Sequence, residues 1–146
     1  MRSLHLFAGA GGGLLADLIL GHQPVGAVEL DPYCCSILRA RRDDGWFPWL
    51  RVHEQDIRMF DPSEYTGRVD IVSGGFPCQD VSSAGKGAGI AGERSGLWSE
   101  FARVLGVVRP RFAFIENSPL LSRRGLHVIL SDLAALGYDA EWQVIS

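Results

Sequence analysis

The feature that most constrains this chain is its opening. An apolar run, Leu4–Ala8, breaks into Gly9-Ala10-Gly11-Gly12-Gly13 and is followed at once by apolar residues at helical spacing, Leu14–Leu20, until Gly21 stops them. A short apolar run suits a buried strand, glycines permit a tight turn, and the spacing that follows belongs to a helix. The pattern then recurs. Val25–Leu30 reads as a second strand, and Asp31-Pro32 opens a helix to about Arg42, with Asp31 placed to cap it and Pro32 at its first helical position. Leu50–His53 allows a brief strand, Asp61–Gly67 is a loop with turn residues, and Val69–Ser73 is a buried strand. Ser99–Val108 has helical spacing broken by Arg109-Pro110, and Phe112–Ile115 is a continuous apolar strand. Gly125–Leu136 is a helix closed by Gly137, and Ala140–Ile145 starts a further strand. Strands alternating with helices predict an α/β fold with a doubly wound, mostly parallel sheet. No repeat, linker or low-complexity tract divides the chain, so residues 1–146 read as one domain.

Composition narrows the function classes. With 47% apolar residues, 146 residues suffice for a core of their own. Fourteen basic against 17 acidic residues leave a net charge of -3, which excludes a basic coat for nucleic acid; any DNA contact has to be local. Three cysteines, with Cys34 and Cys35 adjacent, make no disulfide framework and point to a reducing cytoplasm. No paired Cys/His spacing suggests a metal. His5, Asp17 and the glycines interrupt the N-terminal apolar stretch too often for a signal peptide or a membrane span.

Ligands of open parallel sheets sit beyond the carboxyl ends of the strands, where the first strand gives way to a glycine turn and a helix N-terminus. Phe7-Ala8-Gly9-Ala10-Gly11-Gly12 occupies that place. Glu29, ending the second strand, is positioned to accept hydrogen bonds from both hydroxyls of a ribose, and Asp56, after the third, from an adenine amino group. A nicotinamide dinucleotide fits less well, because its fingerprint wants a third glycine where this chain has Leu14. A nucleoside-type cofactor without a pyrophosphate fits better. The long stretch from Gly74 to Gly96 is rich in glycine and serine and has no period, and long loops inside compact domains are usually functional. At its start Gly74-Gly75-Phe76-Pro77-Cys78-Gln79 follows the fourth strand and sets a thiol at the same carboxyl edge as the glycine turn.

Six ordered segments, LFAGAGG, VELD, QDI, GGFPCQ, ERSGLW and FIENS, resemble those of the DNA (cytosine-5) methyltransferase family, and the resemblance runs over essentially the whole chain. Pro-Cys-Gln after one strand with Glu-Asn after the next is its specific part. The resemblance implies a Rossmann-like methyltransferase fold and S-adenosylmethionine as methyl donor. It implies that Cys78 adds to carbon 6 of a cytosine flipped out of the duplex while Glu116 holds or protonates N3. A free thiol titrates near about 8.5, so Cys78 needs local activation. The family pattern places Phe7, Gly9, Gly11, Gly12, Glu29, Asp56 and Pro77 around the cofactor, with Ala8 and Ala10 in the same turn and Leu30 and Ile57 against adenine. The run from Gln79 to Arg94 corresponds to a loop that closes over DNA, with Ser82, Ser83, Lys86 and Arg94 as candidates for phosphate or sugar contacts. Asn117 is expected to orient the loop around Cys78 rather than act chemically.

The chain also departs from the pattern. His5 stands where relatives often have an acidic residue. A later arginine segment, a target-recognition domain and the last part of the cofactor pocket are absent from these residues, so the sheet is expected to lack its last strands. A fragment, one half of a split enzyme completed by a second polypeptide, and a minimal enzyme all remain open. Two alternatives stand beside DNA methylation: a non-catalytic subunit, and a transfer-RNA cytosine methyltransferase, since a relative uses the same segments on RNA.

Overall fold

The computed structural model describes residues 1–77 and 97–145. Five strands, β1 (Arg2–Leu6), β2 (Gln23–Glu29), β3 (Arg51–Glu54), β4 (Ile71–Gly75) and β5 (Phe112–Glu116), form one sheet in the order β3-β2-β1-β4-β5, with every pair parallel. The helices are α1 (Gly12–Ile19), α2 (Pro32–Asp43), α3 (Leu97–Val108), α4 (Leu121–Arg124) and α5 (Leu126–Ala135). Short 3-10 turns at Ile57–Met59 and Ser63–Tyr65 lie between β3 and β4. The expected doubly wound α/β sheet is present. Neither the turn at Ile57–Met59 nor α4 was signalled by the sequence, because three or four residues carry too little periodicity to read.

Local chemistry accounts for the helix ends. The Asp31 carboxylate accepts hydrogen bonds from the backbone N–H groups of Tyr33 and Cys34, and Pro32 follows in the first turn of α2. Gly21 and Gly137, after α1 and α5, take φ of 72° and 87°, the left-handed conformation that ends helices and that glycine adopts without a Cβ penalty.

Pairing separates two cores. Leu4, Leu6, Val28 and Val72 face α3 and α5, where Phe101, Val104, Leu105, Val108, Ile129 and Leu133 meet them. The spacing of Trp98, Phe101, Leu105 and Val108 puts them on one stripe of α3, and burying a side chain of this size contributes about 2–3 kcal/mol. On the opposite face Leu14, Ala27, Leu38, Phe47 and Leu50 pack α1 and α2 against β1, β2 and β3. Ladder partners point to the same face, and His5, Ser73 and Phe114 form one such row. His5 is covered by α1, whereas Phe112 and Phe114 on edge strand β5 stay 46% and 64% exposed.

One expectation is corrected. Residues 140–145 form no strand. A strand exists only through a hydrogen-bonded neighbour, and this segment pairs with none among the described residues; Trp142, Val144 and Ile145 are exposed.

Candidate active site

The strand order brings the chemistry-bearing residues to one edge. Across the carboxyl ends lie, in succession, Asp56 just after β3, Glu29 ending β2, the glycine turn after β1, Pro77 two residues after β4, and Glu116 ending β5. Neighbouring strands are spaced about 4.8 Å apart, so the glycine turn and the end of β5 are roughly 10 Å apart. Sequence separations of up to 107 residues collapse to that scale only because β1 pairs with β4 and β4 with β5.

The glycine turn is held in an unusual backbone state. Phe7, Gly9 and Gly11 have φ of 53°, 53° and 99°. The strand-side end is tied by Ala8 N–H donating to the Val28 carbonyl at 3.2 Å and Gly11 N–H to the Ala8 carbonyl at 3.1 Å. Phe7 packs against the core. A Cβ built on Gly9 or Gly12 would meet nothing within 4 Å, so there is open space above the turn, while one on Gly11 would come within 3.0 Å of Leu38. Open backbone at a helix N-terminus is what a nucleoside-type ligand needs, and the residues present fit such a group.

Glu29 is first a brace for that turn. Its Oε2 accepts from Gly9 N–H at 2.7 Å, and its Oε1 accepts from Leu30 and Asp31 N–H at 2.8 Å each. A carboxylate offers roughly four acceptor positions, so about one remains for a ribose hydroxyl where the sequence suggested two. Asp56 caps the turn at Ile57–Met59, accepting from Arg58 N–H at 2.9 Å and from the Arg58 guanidinium at 3.1 Å. Leu30 is 63% exposed, available to a flat ring, whereas the Ile57 side chain is 4% exposed and belongs to the core.

At the other half of the edge, Gly75 and Glu116 are ladder partners. A Cβ on Gly75 would stand 2.5 Å from Glu116 Oε2, so the missing side chain is what lets this carboxylate lie across the end of β4. Gly74 is equally constrained, since a Cβ there would strike the Leu6 carbonyl oxygen. Beyond them Phe76 is buried against Trp98 with ring centroids 5.8 Å apart, and Trp98 Nε1 donates to Asp132 at 2.8 Å. Asn117 Nδ2 donates to the Phe76 carbonyl at 3.0 Å, and Asn117 Oδ1 accepts from Ser118 N–H at 2.8 Å. The backbone leading into exposed Pro77 is thus fastened from β5. Cys78, Gln79, Ser82, Ser83, Lys86 and Arg94 lie outside the described residues.

The sequence missed Gly74, Gly75, Phe76 and Trp98 as supports. Two consecutive glycines at a strand end were the available signal. The other thiols are poor nucleophiles. Burial pushes the Cys34 and Cys35 thiols up, aided for Cys34 by Asp31 and for Cys35 by Glu54, and Cys35 is wholly buried with Sγ 3.5 Å from the Glu29 carbonyl. Among the described residues no cluster of His, Cys, Asp and Glu has the arrangement of a metal site, and no helix is long and apolar enough to cross a membrane.

A family model described as C-5 cytosine-specific DNA methylase matches residues 1–146. The chain belongs to that family. Among curated relatives, the Type II methyltransferase M.PspPI of Psychrobacter sp. (strain TA137) is 39% identical over 92% of this chain, and M.Eco47II of Escherichia coli is 38% identical over 92%. This C-5 cytosine methylase chain spans 32% of the length of each of those two relatives. In fold it is similar to a DNMT2 variant from Spodoptera frugiperda, with a TM-score of 0.69 at 19% identity over 92% of this chain and 41% of that one. It is also similar to a prophage-encoded putative DNA modification methyltransferase from E. coli, with a TM-score of 0.68 at 22% identity over 93% of this chain and 37% of that one.

Proposed function

We propose that this chain is the catalytic, cofactor-binding part of a DNA cytosine-5 methyltransferase. The observation that carries the reading is the shared carboxyl edge, with the glycine turn at β1 and the Glu116 carboxylate lying over Gly75 at the strand that leads to Pro77 and Cys78. The cofactor would be held by the turn formed by Phe7, Ala8, Gly9, Ala10, Gly11 and Gly12, by Glu29 and Asp56 as acceptors, by Leu30 beside adenine, and by Pro77, while Ile57 supports the site from the core. When bound, S-adenosylmethionine supplies an electrophilic methyl group for carbon 5 of the cytosine.

The chain's own residues do the rest. The Cys78 thiolate adds to carbon 6 of a flipped cytosine, forming a C–S bond and pushing the ring electron pair toward carbon 5. Glu116 holds N3 by a hydrogen bond and shares a proton with it, which makes carbon 6 electrophilic. Once carbon 5 is substituted, a base, water included, takes its proton, the C–H electron pair re-forms the double bond, and the C–S bond breaks to free the thiolate. Asn117 fixes the entry to the Cys78 loop through the Phe76 carbonyl. Gln79, Ser82, Ser83, Lys86 and Arg94 are assigned to the DNA side, as local contacts on a chain whose net charge is -3.

DNA containing 5-fluorocytosine tests this, because fluorine cannot leave carbon 5 as a proton does. With S-adenosylmethionine present, the protein should form a denaturation-resistant adduct that maps to Cys78, is lost in Cys78→Ala and persists when Cys34 and Cys35 are replaced. An adduct at Cys34 or Cys35, or one unaffected by Cys78→Ala, overturns the mechanism. Target reading is assigned to residues outside these 146, whether on the same polypeptide or on another, because the curated relatives are about three times as long. The assay is therefore run with these residues alone and with the remaining family segments supplied, and sequence-specific methylation by these residues alone refutes that assignment.

A further inference from the structure

A buried polar cluster lies between β1 and α1, away from the carboxyl edge. Ser3, His5 and Asp17 are 0%, 3% and 7% exposed. The Asp17 Oδ2 accepts from the Ser3 hydroxyl and meets His5 Nε2 at 2.7 Å, Ser3 Oγ lies 3.2 Å from His5 Nε2, and Asp17 Oδ1 meets His22 Nδ1 at 3.2 Å. Serine and histidine both address one carboxylate oxygen, so the group is no nucleophile relay, in which the histidine would stand between the other two. Its location is the informative part. A Cβ on Gly13 would sit 3.0 Å from His5 Nδ1, and Gly13 and Asp17 are one helical turn apart. His5 therefore meets one face of α1 at both positions.

The glycine turn is suspended between the two elements this cluster joins, with β1 entering it and α1 leaving it. Gly11 caps α1 without any side-chain hydrogen bond. The turn's own hydrogen bonds, Ala8 N–H to the Val28 carbonyl, Gly11 N–H to the Ala8 carbonyl and Gly9 N–H to Glu29, tie it to β2 and to itself and none of them joins β1 to α1, so the separation of that strand and helix is set elsewhere. We infer that Ser3, His5 and Asp17 are positioning residues for the cofactor site, a clamp that sets the height and rotation of α1 over β1 and thereby the shape of the Phe7–Gly11 turn. Stability alone does not account for them, because well-packed apolar groups in place of a buried ion pair are often as stable or more so.

This inference rests on the cofactor reading above, and calorimetric titration of the protein with S-adenosylmethionine separates the two. Absence of binding by the unaltered protein, both alone and complemented with the remaining family segments, sinks the cofactor reading. Where it binds, His5→Leu should weaken affinity about tenfold, the scale of one misaligned hydrogen bond. The double variant His5→Leu with Asp17→Leu, which leaves the buried Ser3 hydroxyl without its partners, should melt lower but stay folded, and bind as weakly as His5→Leu. Asp17→Asn, which keeps an acceptor for Ser3 and His5, should bind within about twofold of the parent. Amide hydrogen exchange at Gly9 and Gly11 in the free protein should quicken in the double variant and not in Asp17→Asn. In the double variant, a merely structural cluster would leave both affinity and exchange at the parental values whatever happened to the melting temperature. A folded double variant with parental affinity and parental exchange overturns the clamp.

Discussion

Gly75→Ala should separate folding from chemistry. The added methyl carbon would stand 2.5 Å from Glu116 Oε2, 3.4 Å from the Glu116 carbonyl oxygen and 3.6 Å from the carboxyl carbon. Only the first contact is prohibitive. Ordinary contact begins near 3.4 Å, so the carboxylate oxygen has to retreat by about 1 Å, and it belongs to the end of a flexible side chain on an exposed residue. Gly75 does not have positive φ, so alanine is conformationally acceptable there, and replacing a strand glycine recovers about 0.5–1 kcal/mol of chain entropy. Stability should therefore be unchanged or slightly higher, while a displacement of about 1 Å in the group we propose to hold cytosine N3 should lower turnover on the order of a hundredfold. Gly74→Ala is the counterpart. Its methyl would meet the Leu6 carbonyl oxygen in the β1–β4 ladder, a backbone atom that cannot retreat, and should destabilise the fold by on the order of 4 kcal/mol or more. Methyl transfer to DNA measured beside thermal melting checks both, in whichever preparation, alone or complemented, is active. A stable Gly75→Ala protein with parental turnover would refute the argument that Glu116 works from its position over β4.

Other outcomes follow from named contacts. Glu29→Ala removes the acceptor of three N–H donors, those of Leu30 and Asp31, which water can satisfy, and the part-buried one of Gly9; it should destabilise by about 1 kcal/mol in denaturant melts and weaken S-adenosylmethionine binding in titration. Burial of Asp17 opposes its ionised form, yet hydrogen bonds from His5 and Ser3, the His5 charge and a bond from His22 outweigh it and lower the pKa from 3.8 to about 2. A depressed acid stabilises the fold fully above its unfolded pKa and loses that contribution as pH falls through the folded one. Melts of the parent against Asp17→Asn should thus differ by on the order of 2 kcal/mol above pH 4 and converge near pH 2. Iodoacetamide at neutral pH should modify Cys34 and Cys35 more slowly than a free model thiol, as mass mapping of the native protein can establish, because both thiols are pushed up.

The elements that the sequence determined by itself are those whose causes lie within a few residues. The Asp31-Pro32 start of α2, the stops at Gly21 and Gly137, the stripe on α3 and the glycine turn after β1 are each produced by neighbouring backbone and side-chain chemistry, and the family segments fall on these same features. Tertiary structure decided what depends on pairing. Only the order β3-β2-β1-β4-β5 sets Gly75 against Glu116 and lines up Asp56, Glu29 and the turn on one edge. Nothing local marks Glu29 as a brace for three backbone donors, or Ser3, His5 and Asp17 as a buried cluster, since each partner lies 12 to 20 residues away or in the geometry of a turn. Residues 140–145 show the same division from the other side. Their apolar pattern is that of a strand, but a strand is a relation between two segments, and the sequence of one segment cannot supply the neighbour.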